Sequence, residues 1–296
     1  MSSKEPFLVR FARDYGWRAY AIPVLTVITV WVLFDVFSAD QPANGASGEA
    51  STSLSTPTST LRAGPDPAQA EPQSVPLTEL PPGGSYTETG AGTFRQVGAA
   101  LPRVGEGQEQ TFTYVIEIED GVNTAAYGGD DAFVAAVDAF VAAVDATLSD
   151  PKGWTADPAF AFEHVSGDED PDLRIQLTSL STTHELCGND IEMETSCFYS
   201  DGGRVMINES RWIRGAAPFK GDLGSYRQYL INHEVGHGLG YAAHDACTAP
   251  GELAPIMMQQ TLSLNNSELF RIDPDEVYPD DDATCEFNPW PYPRGF

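Results

Sequence analysis

The sequence predicts an α+β domain, and three observations carry that expectation. Residues 111–119 alternate between apolar and polar side chains. Residues from about 130 to 148 keep an apolar face at helical spacing. Three more strand-like runs then precede a second helix and an irregular tail. Strands and helices mixed in this order suit a sheet packed against helices.

Taken in chain order, the first element is a membrane signal spanning residues 1–38. Lys4, Arg10, Arg13 and Arg18 form a basic tail over residues 1–18. An uncharged run from Ala19 to Phe34 follows, extended past Asp35 by Val36 and Phe37. That gives about 18 residues, near the lower limit for a spanning helix. Residues 19–38 are therefore expected to anchor the chain in the cell membrane as a single pass. The basic flank stays cytoplasmic and everything downstream lies outside. A cleavable signal peptide is the alternative, but Phe37 occupies the −3 position of a cut after Ala39, where a small residue is wanted.

Residues 39–88 are rich in Pro, Ser, Thr, Ala and Gly and poor in large apolar side chains. Such a stretch buries too little surface to fold. It is expected to be a disordered tether, reaching on the order of 100 Å if partly extended. The folded domain is expected over residues 89–296.

Within it, Thr111-Phe-Thr-Tyr-Val-Ile-Glu-Ile-Glu119 reads as a half-buried strand. The helix after it contains an internal duplication: residues 132–138 and 139–145 both read Ala-Phe-Val-Ala-Ala-Val-Asp. Seven residues make nearly two turns, so the repeat lengthens the helix and keeps its apolar face in line. Asp150-Pro151 ends it. Strands are expected at 159–165, 172–178 and 203–208. The second helix is capped by Asp222 and runs to about Leu239, with Gly240 placed to stop it.

The net charge is −27, with only three lysines among the 16 basic residues. Nucleic acid is excluded as a partner, because binding it needs a basic face. Cys187, Cys197, Cys247 and Cys285 include no Cys-x-x-Cys pair, which argues against a cysteine-only zinc ribbon. An even count in an exported domain predicts two disulfides. Of the three connectivities, Cys187–Cys197 with Cys247–Cys285 is favoured, since the first closes a short local loop.

The chemistry is concentrated in the second helix, which carries His233-Glu234-Val235-Gly236-His237. Histidines at i and i+4 share one helical face and reach one metal ion, and the intervening glutamate can address a water beside it. Three of the chain's five histidines fall between His233 and His244. Catalytic zinc usually has a third protein ligand and an open position for water. Gly240 lets the chain turn back, and His244 follows.

The whole string resembles the extended zinc signature of the metzincin proteases, His-Glu-x-x-His-x-x-Gly-x-x-His. The third ligand of that pattern falls on Ala243, and the histidine comes one residue later. Past Gly240 an irregular loop can absorb the extra residue, so His244 is assigned, with Asp245 as the fallback. Ala254 to Gln260 resembles the methionine turn of that group, with Met257 as the supporting residue. Gln259 stands where many metzincins carry a tyrosine. Together with Asp150 to Trp154, Ile207 to Trp212, Tyr226 to Tyr229 and Asn288 to Pro293, these stretches resemble an uncharacterised family of exported actinobacterial proteins with a metzincin-type core.

The resemblance implies a zinc metallopeptidase with one catalytic Zn2+ held by His233, His237 and His244. Glu234 is the general base, and the substrate is a peptide or protein. It also implies an edge strand that aligns the substrate, for which 203–208 is the candidate. Glu268 is a second alternative for the third ligand. A non-catalytic cell-surface binding module with a structural zinc site is the rival function; a fourth protein ligand would mark it. His164 and His184 are expected to be surface or satisfied side chains, Trp154, Trp212 and Trp290 core, and the chain a monomer.

Overall fold

The computed structural model describes residues 75–77, 79–167, 170–189, 191 and 193–294, together with Thr29. Apart from Thr29, the expected anchor at 19–38 lies outside the described residues, as does the tether up to residue 74. What is described belongs otherwise to the unit Pro67–Phe296.

A seven-stranded mixed sheet forms the framework, built from β1 (Phe94–Val97), β2 (Leu101–Gly105), β3 (Gln110–Glu119), β4 (Phe160–His164), β5 (Leu173–Thr178), β6 (Cys197–Tyr199) and β7 (Arg204–Asn208). The order is β2-β4-β3-β5-β7-β6, with β1 also on β3. The four strands from β4 to β7 in that order run parallel, and β1, β2 and β6 are antiparallel to their neighbours. The helices are α1 (Asp130–Ser149), α2 (Leu180–Cys187), α3 (Glu209–Arg214), α4 (Leu223–Gly238) and α5 (Asn266–Ile272). The mixed architecture agrees with the expected α+β class.

The sheet departs from expectation in two places. β3 is covered on both faces from Tyr114 onward, where a half-buried strand is expected. Its charged side chains are buried because they are satisfied. Glu119 accepts from Gly92 N, Ser179 N and Thr182 Oγ1, and Glu117 accepts from Arg174 and Gln176. Residues 203–208 are not an edge: β7 lies between β5 and β6, so β6 is the outer strand on that side. β6 spans three residues, too short to show a period, and a disulfide ties it through Cys197 to Cys187 at the end of α2.

α1 begins at Asp130 and ends at Ser149, close to its expected limits. Phe133 and Phe140, the same position of the two heptads, are both buried, and Phe140 meets Trp212 edge to face at 4.8 Å. By length and composition the segment Asp130–Ala156 could cross a membrane. Its Phe140, Val144 and Leu148 are instead built into the core with Ile116, Ile175 and Leu230. A second, smaller core lies in the C-terminal segment and joins Met258, Leu262, Leu269 and Tyr278 around the Cys247–Cys285 disulfide. Both disulfides follow the favoured pairing.

Packing begins before residue 89. Arg214 Nε donates to Gly84 O and its guanidinium lies over Tyr86, while Thr87 N donates to the buried Glu209 carboxylate. Residues 80–88 therefore have partners on α3, although their composition reads as tether.

Candidate metal centre

α4 positions the first two histidines. Asp222 caps it by accepting from Ser225 N, and the helix ends at Gly238 with Gly240 at φ +105°. A left-handed turn there suits glycine, and it sends the chain back so that His244 returns beside the helix. The ring centroids of His233, His237 and His244 stand 4.8, 5.3 and 5.5 Å apart. One ligand atom from each lies within 4.8 Å of the others, and these three residues are the cluster found among the described residues.

The inner ring nitrogens are taken by oxygens. His233 Nδ1 is 2.9 Å from Ile256 O, His237 Nδ1 is 2.9 Å from Tyr241 O, and His244 Nδ1 is 3.2 Å from Glu276 Oε2. Each contact favours the tautomer with hydrogen on Nδ1, leaving the Nε2 lone pair for a metal. Among the described residues His233 Nε2 is buried without a hydrogen-bond partner, and a metal ion would satisfy that lone pair. Burial, then the neighbouring imidazoles, holds His233 well below the usual histidine range, and burial followed by His244 lowers His237. Both are therefore neutral near pH 7, the form that binds metal. The donor set of three imidazoles suits zinc.

Beneath the helix runs the turn 255–258, closed by Met258 N donating to Pro255 O at 3.0 Å. Three successive carbonyls of this segment hold the site. Ile256 O meets His233, Met257 O accepts from Asp245 N, and Met258 O accepts from Tyr229 OH. Met257 is buried against Gly236, where an added Cβ would come within 2.5 Å of Met257 Sδ and 2.8 Å of Trp154 Cζ2. Trp154 also holds α4 directly, its indole N–H donating to Asn232 O.

The fallback ligands are placed elsewhere. Asp245 is exposed, with its backbone turned to Met257, and the Glu268 carboxylate accepts from Ser263 Oγ. His164 sits buried beside Asp145 at 3.0 Å, and His184 Nε2 is 2.9 Å from Glu194 Oε2. Trp154, Trp212 and Trp290 are core residues. Glu276, Tyr278 and Gly236 escape a reading of the sequence. The first two lie on a distant acidic segment, and Gly236 occupies a variable position of the motif.

Glu234 follows His233 on α4 with its side chain buried, and burial pushes its carboxyl up to about 8. In metal-free protein this makes a pH signature. Between about 4.5 and 8 the folded state keeps a proton that the unfolded chain has released, so stability falls as pH rises. His233 and His237 act oppositely, but only below about 6.5. From pH 6.5 to 8 the metal-free protein should lose about 2 kcal/mol that Glu234→Gln does not lose. Urea melts at the two pH values measure this, and an equal loss in both proteins refutes it.

Residues 80–293 match the family described as "Protein of unknown function (DUF3152)". No curated protein and no solved structure matches the chain.

Proposed function

The chain belongs to that family, and we propose that it is a zinc-dependent metallopeptidase held at the outer face of the cell membrane. One observation carries the proposal: three histidines whose inner nitrogens are engaged by oxygens converge, and among the described residues one outer nitrogen is buried without a partner. His233, His237 and His244 would hold the ion. When bound, zinc supplies Lewis acidity and brings the pKa of a coordinated water down to about 7.

The remaining work belongs to the chain. Glu234 takes a proton as a water oxygen adds to the peptide carbonyl carbon. It then returns the proton to the amide nitrogen as the C–N bond breaks, giving a carboxylic acid and an amine, which exchange a proton to leave as carboxylate and ammonium. Its burial suits a group that must exchange a proton in a poorly solvated site. Around it, α4 is held by Trp154, Tyr229 and the 255–258 turn, so the base and two ligands share one rigid element. The substrate is expected to lie extended along β6, the outer strand beside α4, where Phe198 touches Gly238. The disulfides accord with a location outside the cytoplasm.

Metal analysis by mass spectrometry on full-length protein tests the ligand set. About one zinc per chain is expected in wild type and little in His244→Ala. Zinc kept by that variant would transfer the third position to Asp245 or Glu268. A wild type without zinc would end the peptidase proposal.

A further inference from the structure

The three histidines differ in what aims them. His233 and His237 stand on a helix, and their inner nitrogens meet backbone carbonyls that the fold itself fixes. His244 has neither advantage. It lies beyond Gly240 on irregular chain, and its Nδ1 faces a side chain, the Glu276 carboxylate at 3.2 Å.

The segment that delivers Glu276 is itself secured. Two residues on, the Tyr278 ring lies nearly parallel to His244 at 6.3 Å, and its hydroxyl accepts from Gln259 N. Asn266 bridges the segment to the ligand loop, donating to both Asp281 Oδ1 and Cys247 O. The Cys247–Cys285 disulfide closes the same connection. Glu276 and Tyr278 are thus presented to one imidazole from an arm fixed at several points.

Resting on the metal site proposed above, we propose that Glu276 is the positioning residue of the third metal ligand. Its carboxylate keeps the Nδ1 hydrogen in place and turns Nε2 of His244 toward the other two histidines. A carboxylate behind a metal-bound histidine typically accounts for 10- to 100-fold in metal affinity. It supplies by a side chain what a continuing helix would otherwise supply, at the ligand displaced by one residue.

Full-length wild type, Glu276→Ala, Glu276→Gln and the exposed-site control Glu252→Gln provide the test. Zinc affinity is read by competition with a chromophoric chelator, and site geometry by the visible spectrum of the cobalt(II) form. Glu276→Ala should bind zinc about 10- to 100-fold more weakly and show a changed cobalt spectrum. Glu276→Gln keeps an acceptor oxygen but no charge, so it should fall between Ala and wild type and retain the wild-type thermal unfolding profile. Glu252→Gln should match wild type. Zinc affinities within twofold of wild type in both Glu276 variants overturn the assignment and leave the metal site standing. Absence of zinc in wild type overturns the site and the assignment together.

Discussion

Glu234→Gln is expected to lower peptide hydrolysis by about 10²- to 10⁴-fold while leaving about one zinc per chain. The change is nearly isosteric, at a side chain only 2 % exposed, so the fold has little reason to respond. Glu234 stands outside the cluster of ligand atoms, which is formed by the three histidines. Removing its proton-accepting oxygen therefore removes the base and spares the metal. The measurement pairs cleavage of a fluorogenic peptide library with metal content on the same preparations. Cleavage by the variant within threefold of wild type would deny Glu234 its role. Zinc bound by a wild type that cleaves nothing would leave the structural zinc module as the surviving function.

Gly236→Ala is expected to destabilise the domain by about 1–3 kcal/mol, against the usual rule for helices. Glycine inside a helix ordinarily costs up to about 1 kcal/mol relative to alanine, so the exchange should help. Here the new methyl would meet Met257 Sδ at 2.5 Å and Trp154 Cζ2 at 2.8 Å. The methionine can shift, but the indole is held by its bond to Asn232 O and by stacking on Tyr241 at 5.0 Å. The helix must then lift away from the 255–258 turn, which stretches the His233 contact to Ile256 O. Denaturant melts measure the loss, and zinc affinity should fall with it. A variant more stable than wild type would show that α4 and the turn are not in tight contact.

What was legible in the sequence follows from what has a local signature. β3, α1, β4, β5, β7 and α4 announce themselves by period or by caps such as Asp222 and Gly240. β1 and β6 span four and three residues, too few for alternation to register, and β2 is exposed over its first four residues and buries no apolar face. α2 and α3 are short and polar, and long-range bonds from their surroundings, such as Glu119 to Ser179 and Thr182, set them in place. In the site, His233, Glu234 and His237 follow from helical spacing, and His244 from its nearness to Gly240. The groups that hold those histidines leave no such trace. Ile256 O and Tyr241 O are backbone atoms that any residue would offer, and Glu276 is one acid among six between Asp273 and Asp282.

The paired heptads of α1 have a consequence for what a change in helix length would do. Adding or removing one whole copy changes the helix by seven residues. Seven residues turn the helix by about 20° less than two full turns. A helix shorter or longer by one copy would therefore present the same phenylalanine side to the sheet, and only the connection from β3 would have to stretch or slacken. Yet the copies are not equal in place. Asp138 faces solvent, while Asp145 meets Tyr114 and His164. One peptide written twice thus serves two environments.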